Sequence, residues 1–237
     1  MGAFDRVKLL IGGENYDKLK NAKVLLFGIG GVGGYIAESL VRSGVGAITL
    51  VDGDTVAQTN LNRQIIATTD TIGKDKVAVM KDRLLAVNSE LCVQTEKVFY
   101  LPENGDTIDF SGYDYVIDAV DTVSAKLEII TRAKLNGIPV ISCMGTGGKT
   151  DPTKLTVGDV FETSGCPLAR VMRRELKKRG ITSLKTVYSK EQVISANEPD
   201  CQEQKGKDRV APPSMIFVPA TAGIIIAREV VFDLIIG

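Results

Sequence analysis

The ten residues VLLFGIGGVG, from Val24 to Gly33, decide the fold of this chain. The four apolar residues at the start are typical of a strand buried on both faces of a parallel sheet. The glycines that follow permit a sharp turn and a close backbone approach to a phosphate, and they lead into a helix whose free N–H groups face that anion. The alternative is that these glycines serve only tight packing. The stretch predicts a nucleotide site formed by Gly28, Gly30, Gly31 and Gly33.

A helix, a strand and an acidic residue follow the glycine turn in the order that a nucleotide-binding unit requires. We predict the helix from about Val32 to Arg42 and the strand from Ala47 to Val51. Asp52 comes about twenty residues after the turn, where a carboxylate accepts hydrogen bonds from ribose hydroxyls. This combination indicates nucleotide binding more strongly than the glycine pattern alone.

Strands and helices continue to alternate as far as residue 143, which predicts an α/β fold. Helices are expected over about 73–87 and 122–136, and strands over 91–98, 115–118 and 139–143. This order indicates a Rossmann-like, mainly parallel sheet with helices on both faces. A short helix with Phe4, Val7, Leu10 and Ile11 at helical spacing is expected before the first strand, ending at a Gly-Gly pair.

From Met144 the pattern changes to a C-terminal α+β extension. It is predicted to contain a strand over 155–161, a basic helix over 167–179, a strand over 183–189 and an apolar helix over 220–234 that Pro219 starts. The polar run 197–211 is interpreted as a mobile or binding loop. We therefore predict a nucleotide-binding core over 1–145 and a substrate-binding extension over 146–237, packed together as one continuous unit.

Composition narrows the possible functions. Lysine plus arginine equals aspartate plus glutamate at 29 each, so no overall positive field favours nucleic acid, and any such surface must be local. No signal peptide and no apolar run of the roughly 18–20 residues needed to span a bilayer is evident, which favours a cytoplasmic protein without membrane contact. The chain has no histidine, which excludes mechanisms that need an imidazole base or ligand.

The four cysteines are widely spaced and form neither a dense disulfide framework nor the CxxC pairs of a structural zinc site. Cys92 and Cys143 lie in apolar, strand-like runs and are predicted to be core residues. Cys201 lies in the polar loop and is the better candidate for an exposed thiol, although nothing nearby in the sequence marks it as activated.

Polar residues predicted at one rim of the sheet form a candidate catalytic constellation. They are Asn60, Arg63, Gln64, Lys76 and Asp121. Arginine and lysine suit polyphosphate oxygens, and a carboxylate such as Asp121 can hold a Mg²⁺ that bridges them. A dinucleotide-binding dehydrogenase has no evident need for this set, so it favours ATP over NAD. The alternatives are that Arg63 pairs with a local acid, Lys76 is solvated and Asp118 caps the next helix.

The predicted helix over 167–179 carries the densest positive patch of the chain, with Lys185 and Lys190 on the strand beside it. Its cationic residues are Arg170, Arg173, Arg174, Lys177, Lys178 and Arg179. Such a patch can bind phosphates of a nucleic acid. The alternative is a solvated helix face.

These motifs carry a resemblance to the ubiquitin-activating-enzyme-like adenylating superfamily. Five of them occur in order within about residues 4–145: GIGGVG at 28–33, DGDTV at 52–56, TNLNRQ at 59–64, GKDK at 73–76 and DAVD at 118–121. The segments GTGGKTDPT at 145–153, PLARVMRR at 167–174 and RGI at 179–181 resemble the tRNA threonylcarbamoyladenosine dehydratase branch, which extends the resemblance over nearly the whole chain.

The resemblance implies ATP-dependent adenylation of the threonylcarbamoyl carboxylate on tRNA, followed by ring closure to an oxazolone with release of AMP. It implies that Asp52, within the motif that also holds Asp54, binds ribose, and that Arg63 and Lys76 neutralise phosphates. Asn60 and Gln64 would orient the phosphates, and Asp121 would bind Mg²⁺. The patch formed by Arg170, Arg173, Arg174, Lys177, Lys178 and Lys185 would bind tRNA.

The resemblance also implies a homodimer, because Arg6 would act as an arginine finger from the other subunit. From its sequence alone Arg6 either is solvated or reaches a phosphate. A monovalent cation and a cysteine desulfurase or sulfur acceptor are further candidate partners, for which the sequence gives no site.

Two departures separate this chain from relatives in the superfamily. Members that deliver sulfur or activate ubiquitin-like proteins often carry zinc CxxC pairs, which this chain lacks, so adenylation or sulfur transfer on a ubiquitin-like carrier protein is the alternative function. The dehydratase branch usually has an acid where Cys166 precedes Pro167. Cys166 is interpreted as a neutral replacement, the alternative being a thiol with a role of its own.

Overall fold

A single seven-stranded sheet forms the centre of the computed structural model, which describes residues 2–193 and 212–236. The predicted polar loop 197–211 and Cys201 lie outside these residues. The strands are β1 (Lys23–Phe27), β2 (Ala47–Val51), β3 (Cys92–Glu96), β4 (Tyr115–Asp118), β5 (Val140–Cys143), β6 (Leu155–Asp159) and β7 (Lys185–Ser189). Their spatial order is β3-β2-β1-β4-β5-β7-β6, and only β6 pairs antiparallel. The predicted mainly parallel sheet is confirmed.

Helices cover both faces of this sheet, as predicted. They are α1 (Asp5–Ile11), α2 (Gly13–Asn21), α3 (Gly33–Arg42), α4 (Lys76–Val87), α5 (Val123–Leu135), α6 (Pro167–Lys178) and α7 (Phe217–Ile236). One hydrophobic cluster joins one face of the sheet to α3, α4 and α7, and a second joins the other face to α5 and α6. No helix in the described ranges is long and apolar enough to cross a membrane.

Strand β1 shows why its sequence is apolar at every position. Val24 and Leu26 pack into the cluster with α3, whereas Leu25 and Phe27 pack into the cluster with α5. Successive side chains of a strand point to opposite faces, so a central strand that is covered on both sides has no polar position. β1 lies between β2 and β4, which places the strand-order reversal, and therefore the ligand crevice, at the carboxyl end of β1.

The region after residue 145 is more closely integrated than an extension attached to the sheet. β7 pairs parallel with β5 and β6 pairs antiparallel with β7, so both strands enlarge the same sheet. The apolar C-terminal helix packs against α3 and begins at Phe217, so Pro219 lies in its first turn and does not start it. The proposed division at residue 145 stays a prediction.

The predicted N-terminal helix is confirmed as α1, which ends before Gly12. A second helix, which was not predicted, follows it, because Gly12, at φ +87°, redirects the chain and α2 begins directly at Gly13. Cys92 is exposed, whereas it was expected in the core, because β3 is an edge strand whose residues alternate between exposed and partly buried. Cys143 is buried, as predicted.

Candidate functional site

Two glycines shape the turn after β1, because the surrounding backbone atoms leave no room for a side chain at either position. Gly28 has φ +89°, and a β-carbon there would lie 2.7 Å from the carbonyl oxygen of Ala119. A β-carbon at Gly33 would lie 1.7 Å from the carbonyl oxygen of Gly28. The turn therefore folds tightly between β4 and the start of α3.

Gly30 and Gly31 differ from these two glycines because a β-carbon at either position would make only ordinary van der Waals contacts. A β-carbon at Gly31 would meet no atom closer than 3.4 Å, and one at Gly30 none closer than 4.0 Å. The nearest atoms belong to the Arg63 side chain and Pro219 at Gly31, and to Gln64 Nε2 at Gly30. The turn is thus an open cradle at the N-terminus of a helix, with polar side chains beside it, as a phosphate group requires.

Asp52 lies at the end of β2 and is tied directly to the glycine turn. Its Oδ2 accepts a hydrogen bond of 2.6 Å from the Ile29 N–H, and its Oδ1 accepts one of 2.8 Å from the Asp54 N–H. Burial raises the pKa of the Asp52 carboxyl above its ordinary value, while Lys76 and the two N–H groups act in the opposite direction. The carboxylate is therefore held in one orientation at the crevice, as expected of a protein group that binds ribose hydroxyls.

Lys76 begins α4 and reaches the same rim. Its Nζ lies 2.8 Å from Asp54 Oδ2, and its side chain is 7% exposed whereas that of Asp54 is 52% exposed. The Lys76 N–H also donates to the Asp54 carbonyl oxygen. Because Asp54 is half exposed, it can turn toward water and leave the ammonium group to an anionic ligand.

The segment 58–66 supplies Asn60, Arg63 and Gln64. Asn60 is buried, and its Oδ1 accepts from the Ala57 N–H. The Arg63 Nη1 donates to the Thr59 carbonyl oxygen and to Asn62 Oδ1. In the described part of the chain Arg63 forms no ion pair, so the alternative of a local acid partner is not observed. Its guanidinium group retains free donors for a phosphate.

Gln64 is the clearest sign that the cradle is made for a ligand. Its side chain is buried, and Oε1 has no hydrogen-bond partner among the described residues. A buried amide oxygen without a partner costs roughly 1–3 kcal/mol, which a bound donor can offset. The unpaired Oε1 and the Nε2 that faces Gly30 belong to the same Gln64 side chain.

Asp121 follows β4 and is exposed, and among the described residues its side chain forms one hydrogen bond, accepted from the Thr122 hydroxyl at 3.4 Å. No cluster of three or more potential metal-ligating side chains occurs within residues 2–193 and 212–236. A single free carboxylate still fits Mg²⁺, because this ion is commonly bound by one or two carboxylates together with substrate phosphates and water. The donor set at this rim therefore fits a magnesium–nucleotide complex.

Asp118 is not a helix cap, contrary to one of the alternatives considered. Its side chain is completely buried and lies 2.9 Å from the Nζ of Lys126, an equally buried lysine of α5. Sequence analysis missed Lys126, although a lysine among the apolar positions Ala125, Leu127 and Ile130 was a usable signal. A charge on a buried helix face requires a partner.

Arg6 lies on α1, exposed to solvent. Within the described residues its guanidinium group makes no ion pair and no side-chain hydrogen bond. The single chain thus leaves Arg6 free and does not bring it into contact with the glycine turn.

Several cationic side chains of the basic helix α6 are paired with an acid or fixed within the protein, so fewer of them are available to a ligand than the sequence suggests. The Arg173 guanidinium donates to the carbonyl oxygen and the hydroxyl of Thr163, which fixes it within the protein. Glu175 accepts ion pairs from a group of cations around it, namely Arg174, Lys178 and Arg179. Hydrogen bonds from Lys178 and Arg174 lower the pKa of Glu175, so it stays ionised. Arg170 and Lys177 are exposed and have no ion pair in the described ranges.

Lys185 does not lie beside this helix, contrary to the prediction. Its Nζ is 2.8 Å from Glu229 and 2.8 Å from Asp233, both on α7. Because α6 and α7 cover opposite faces of the sheet, Lys185 cannot extend the patch formed by α6.

Neither described cysteine near the rim is an activated thiol. Burial raises the pKa of the Cys143 thiol to about 12, which keeps it neutral. Cys166, directly before α6, is 4% exposed and packs within the second hydrophobic cluster. This burial favours the interpretation of Cys166 as a neutral replacement.

Comparison with known proteins gives four concordant findings. The sequence model of the ThiF family matches residues 4–231. The tRNA threonylcarbamoyladenosine dehydratase of Bacillus subtilis (strain 168) is 41% identical over 240 residues, which covers 98% of this chain and 94% of that protein. The ATP complex of the E. coli tRNA N6-threonylcarbamoyladenosine dehydratase, TcdA, has a TM-score of 0.88 at 33% identity, covering 99% of this chain and 94% of the other. The ATP complex of E. coli MccB, at a TM-score of 0.68 and 22% identity, shares the fold.

Proposed function

Because this chain belongs to the ThiF family, we propose that it is an ATP-dependent tRNA threonylcarbamoyladenosine dehydratase. The observation that carries the proposal is the joined site itself: Asp52 is hydrogen-bonded to the glycine turn, and Arg63, Gln64 and Lys76 stand around it. The Bacillus subtilis protein of that name supports the proposal because it is matched over 94% of its own length.

In the proposed reaction, ATP binds with its ribose on Asp52 and its phosphates over Gly30 and Gly31. A carboxylate oxygen of threonylcarbamoyladenosine attacks the α-phosphorus, and the bond from that phosphorus to pyrophosphate breaks. Negative charge develops on the α-phosphate and on the leaving group. The fixed cations Arg63 and Lys76 and the N–H groups of the helix N-terminus lower the barrier by stabilising this charge.

The second step closes the ring. The carbamoyl oxygen attacks the acyl carbon of the adenylate, the bond from that carbon to AMP breaks, and the carbamoyl nitrogen loses a proton. The oxygen lost from the substrate leaves in AMP, so the net change is loss of one water. No nucleophilic cysteine is required, consistent with the neutral Cys143.

Gln64 and Asn60 orient the nucleotide. The Nε2 of Gln64 beside Gly30 donates to a phosphate oxygen, and its Oε1 gains a donor from the bound nucleotide or its water. A Mg²⁺ held by Asp121 would neutralise charge across the phosphates when it is bound. The monovalent cation, the sulfur-acceptor partner and the cytoplasmic location stay predictions.

The decisive experiment supplies the protein with ATP and tRNA that does or does not carry threonylcarbamoyladenosine. We expect AMP only with the modified tRNA, together with loss of one water from the nucleoside by mass spectrometry. Two other activities are tested in parallel. Pyrophosphate exchange stimulated by a small protein ending in Gly-Gly would favour the carrier-protein alternative, and oxidation of a reduced nicotinamide without AMP would favour a dehydrogenase.

A homodimer is part of the proposal because Arg6, which has no ionic partner among the described residues, lies on the surface of a helix that exposes Leu9 and Leu10, which are 74% and 85% accessible. Apolar residues at such exposure favour an interface. If Arg6 acts in trans, mixing Arg6→Ala and Lys76→Met subunits restores activity, because each mixed dimer regains one intact site. Failure of every mixture to exceed its parents would refute action in trans.

A further inference from the structure

The buried pair of Asp118 and Lys126 lies next to the glycine turn, because Ala119, which follows Asp118, packs against Gly28. Both side chains are completely inaccessible, and Lys126 Nζ lies 2.9 Å from Asp118 Oδ2. The Ser142 hydroxyl donates to the same carboxylate oxygen at 2.5 Å. A buried ion pair is a weak source of stability because both charges must be desolvated, so its presence calls for another reason.

All of the donors of Lys126 are directed at the ends of two neighbouring strands. Beyond Asp118, its ammonium group donates to the carbonyl oxygen of Val120 at 3.0 Å and to that of Cys143 at 2.7 Å. An ammonium group has three protons, so this arrangement uses each of them. Asp118 Oδ1 in turn accepts from the Val120 N–H at 3.2 Å. Both backbone polar groups of Val120 are therefore fixed by the pair.

The two held segments belong to different halves of the site. Val120 directly precedes Asp121, the proposed Mg²⁺ ligand. Cys143 directly precedes the loop 144–151, whose Gly145 faces Leu168 of α6 and whose Lys149 donates back to Gly145. Lys126 thus links the nucleotide side of the crevice to the side that carries the basic helix, in addition to the direct pairing of β4 with β5.

We propose that Lys126 is a positioning residue for adenylation, which sets Asp121 with its Mg²⁺–ATP against the loop 144–151 that flanks the incoming carboxylate. The proposal deepens the function proposed above and rests on it. Lys126 touches no reacting atom and acts through the backbone of Val120 and Cys143. A displacement of about 1 Å at the reacting atoms is enough to cost roughly 10²-fold in rate, so loosening this link is expected to affect chemistry more than folding.

The test removes the link without leaving a buried charge unpaired, using the double variant Asp118→Asn with Lys126→Met. ATP affinity is measured by calorimetry with Mg²⁺ and with EDTA, alongside kcat and KM for AMP formation. We expect that the gain in ATP affinity due to Mg²⁺ is lost, and that kcat falls about 10²-fold while the KM for tRNA changes by less than about threefold. Lys134→Met, an exposed lysine on the same helix, is the matched control and is expected to behave as the unchanged protein.

A double variant that folds and keeps both its Mg²⁺ gain and its kcat would overturn the proposal. If the double variant does not fold, Lys126→Gln offers two donors in place of three and cannot hold Asp118 and both carbonyl oxygens together, and an unchanged Mg²⁺ gain in that variant overturns the proposal as well. Asp121→Asn provides a further check: if Lys126 acts through Asp121, the double variant has no additional effect on Mg²⁺ dependence in that background.

These results are distinguishable from failure of the proposed function. If the unchanged protein binds ATP with a Mg²⁺ gain but releases no AMP with modified tRNA, the dehydratase assignment fails. The calorimetric comparison then still decides whether Lys126 positions Asp121.

Discussion

Replacing Lys76 with methionine separates a structural from a catalytic role for the best-defined cation of the site. The ammonium group is nearly buried, but Asp54, its partner at 2.8 Å, is half exposed. Such a pair contributes at most about 1 kcal/mol to stability, so the unfolding midpoint is expected to fall by only about 2–4 °C for a chain of this size. A fixed charge beside the reacting phosphate is worth more, roughly 2.7–4 kcal/mol, so AMP formation is expected to fall about 10²- to 10³-fold.

The two measurements are thermal unfolding by calorimetry and AMP release at saturating ATP and modified tRNA. Lys20→Met serves as the control, because Lys20 is an exposed lysine on α2 at the opposite end of the sheet. Turnover by Lys76→Met within about threefold of the unchanged protein would refute the role given to this lysine. So would a loss of turnover that disappears when both proteins are assayed at equal folded fraction.

Three other perturbations have defined outcomes. Gly33→Ala would place a methyl group in the space occupied by the carbonyl oxygen of Gly28, so we expect ATP binding in a filter assay to be abolished. An unchanged Kd for ATP would mean that the glycine turn is not needed for binding. Arg170→Glu with Lys177→Glu changes the two cations of α6 that form no ion pair with another described residue, and we expect it to weaken tRNA binding and flatten the salt dependence of that binding. Arg173→Met is expected mainly to lower the unfolding midpoint, and equal tRNA affinities for the two variants would contradict this division. Burial raises the pKa of Tyr100 from 10.0 to about 12, so the folded protein binds the phenol proton more tightly than the unfolded chain does. We therefore expect the free energy of unfolding to fall as the pH rises from 10 to 12, and to fall less steeply in Tyr100→Phe.

The part of the candidate site around the glycine turn could be predicted from the sequence because each of its residues directly follows a strand or precedes a helix. The glycine turn, Asp52 and Lys76 each occur at the junction of a strand with a helix, and the parallel order of strands brings those junctions to one edge. Spacing along the chain therefore predicts their proximity without knowledge of side-chain contacts.

The features that sequence analysis missed depend on which elements become neighbours. Lys185 was assigned to the basic patch, but the pairing of β7 directs it to α7 on the other face. Lys126 and Asp118 meet only because α5 folds back across β4 and β5. Cys92 has the pattern of a core strand, and its exposure follows from the position of β3 at the sheet edge.

The docking of α7 on α3 has a consequence for the order in which this chain matures. Pro219 of α7 lies beside Gly31, and Gly223 fits against the Val32 carbonyl oxygen with no space for a methyl group. Just before α7, the Ser214 carbonyl oxygen accepts a hydrogen bond from the Asn62 side chain. The phosphate cradle encoded near residue 30 is thus completed by residues encoded almost two hundred positions later. A nascent chain that has already emerged with its whole glycine motif would still lack these contacts, so we expect the glycine turn to reach its final form only when synthesis has reached the last helix.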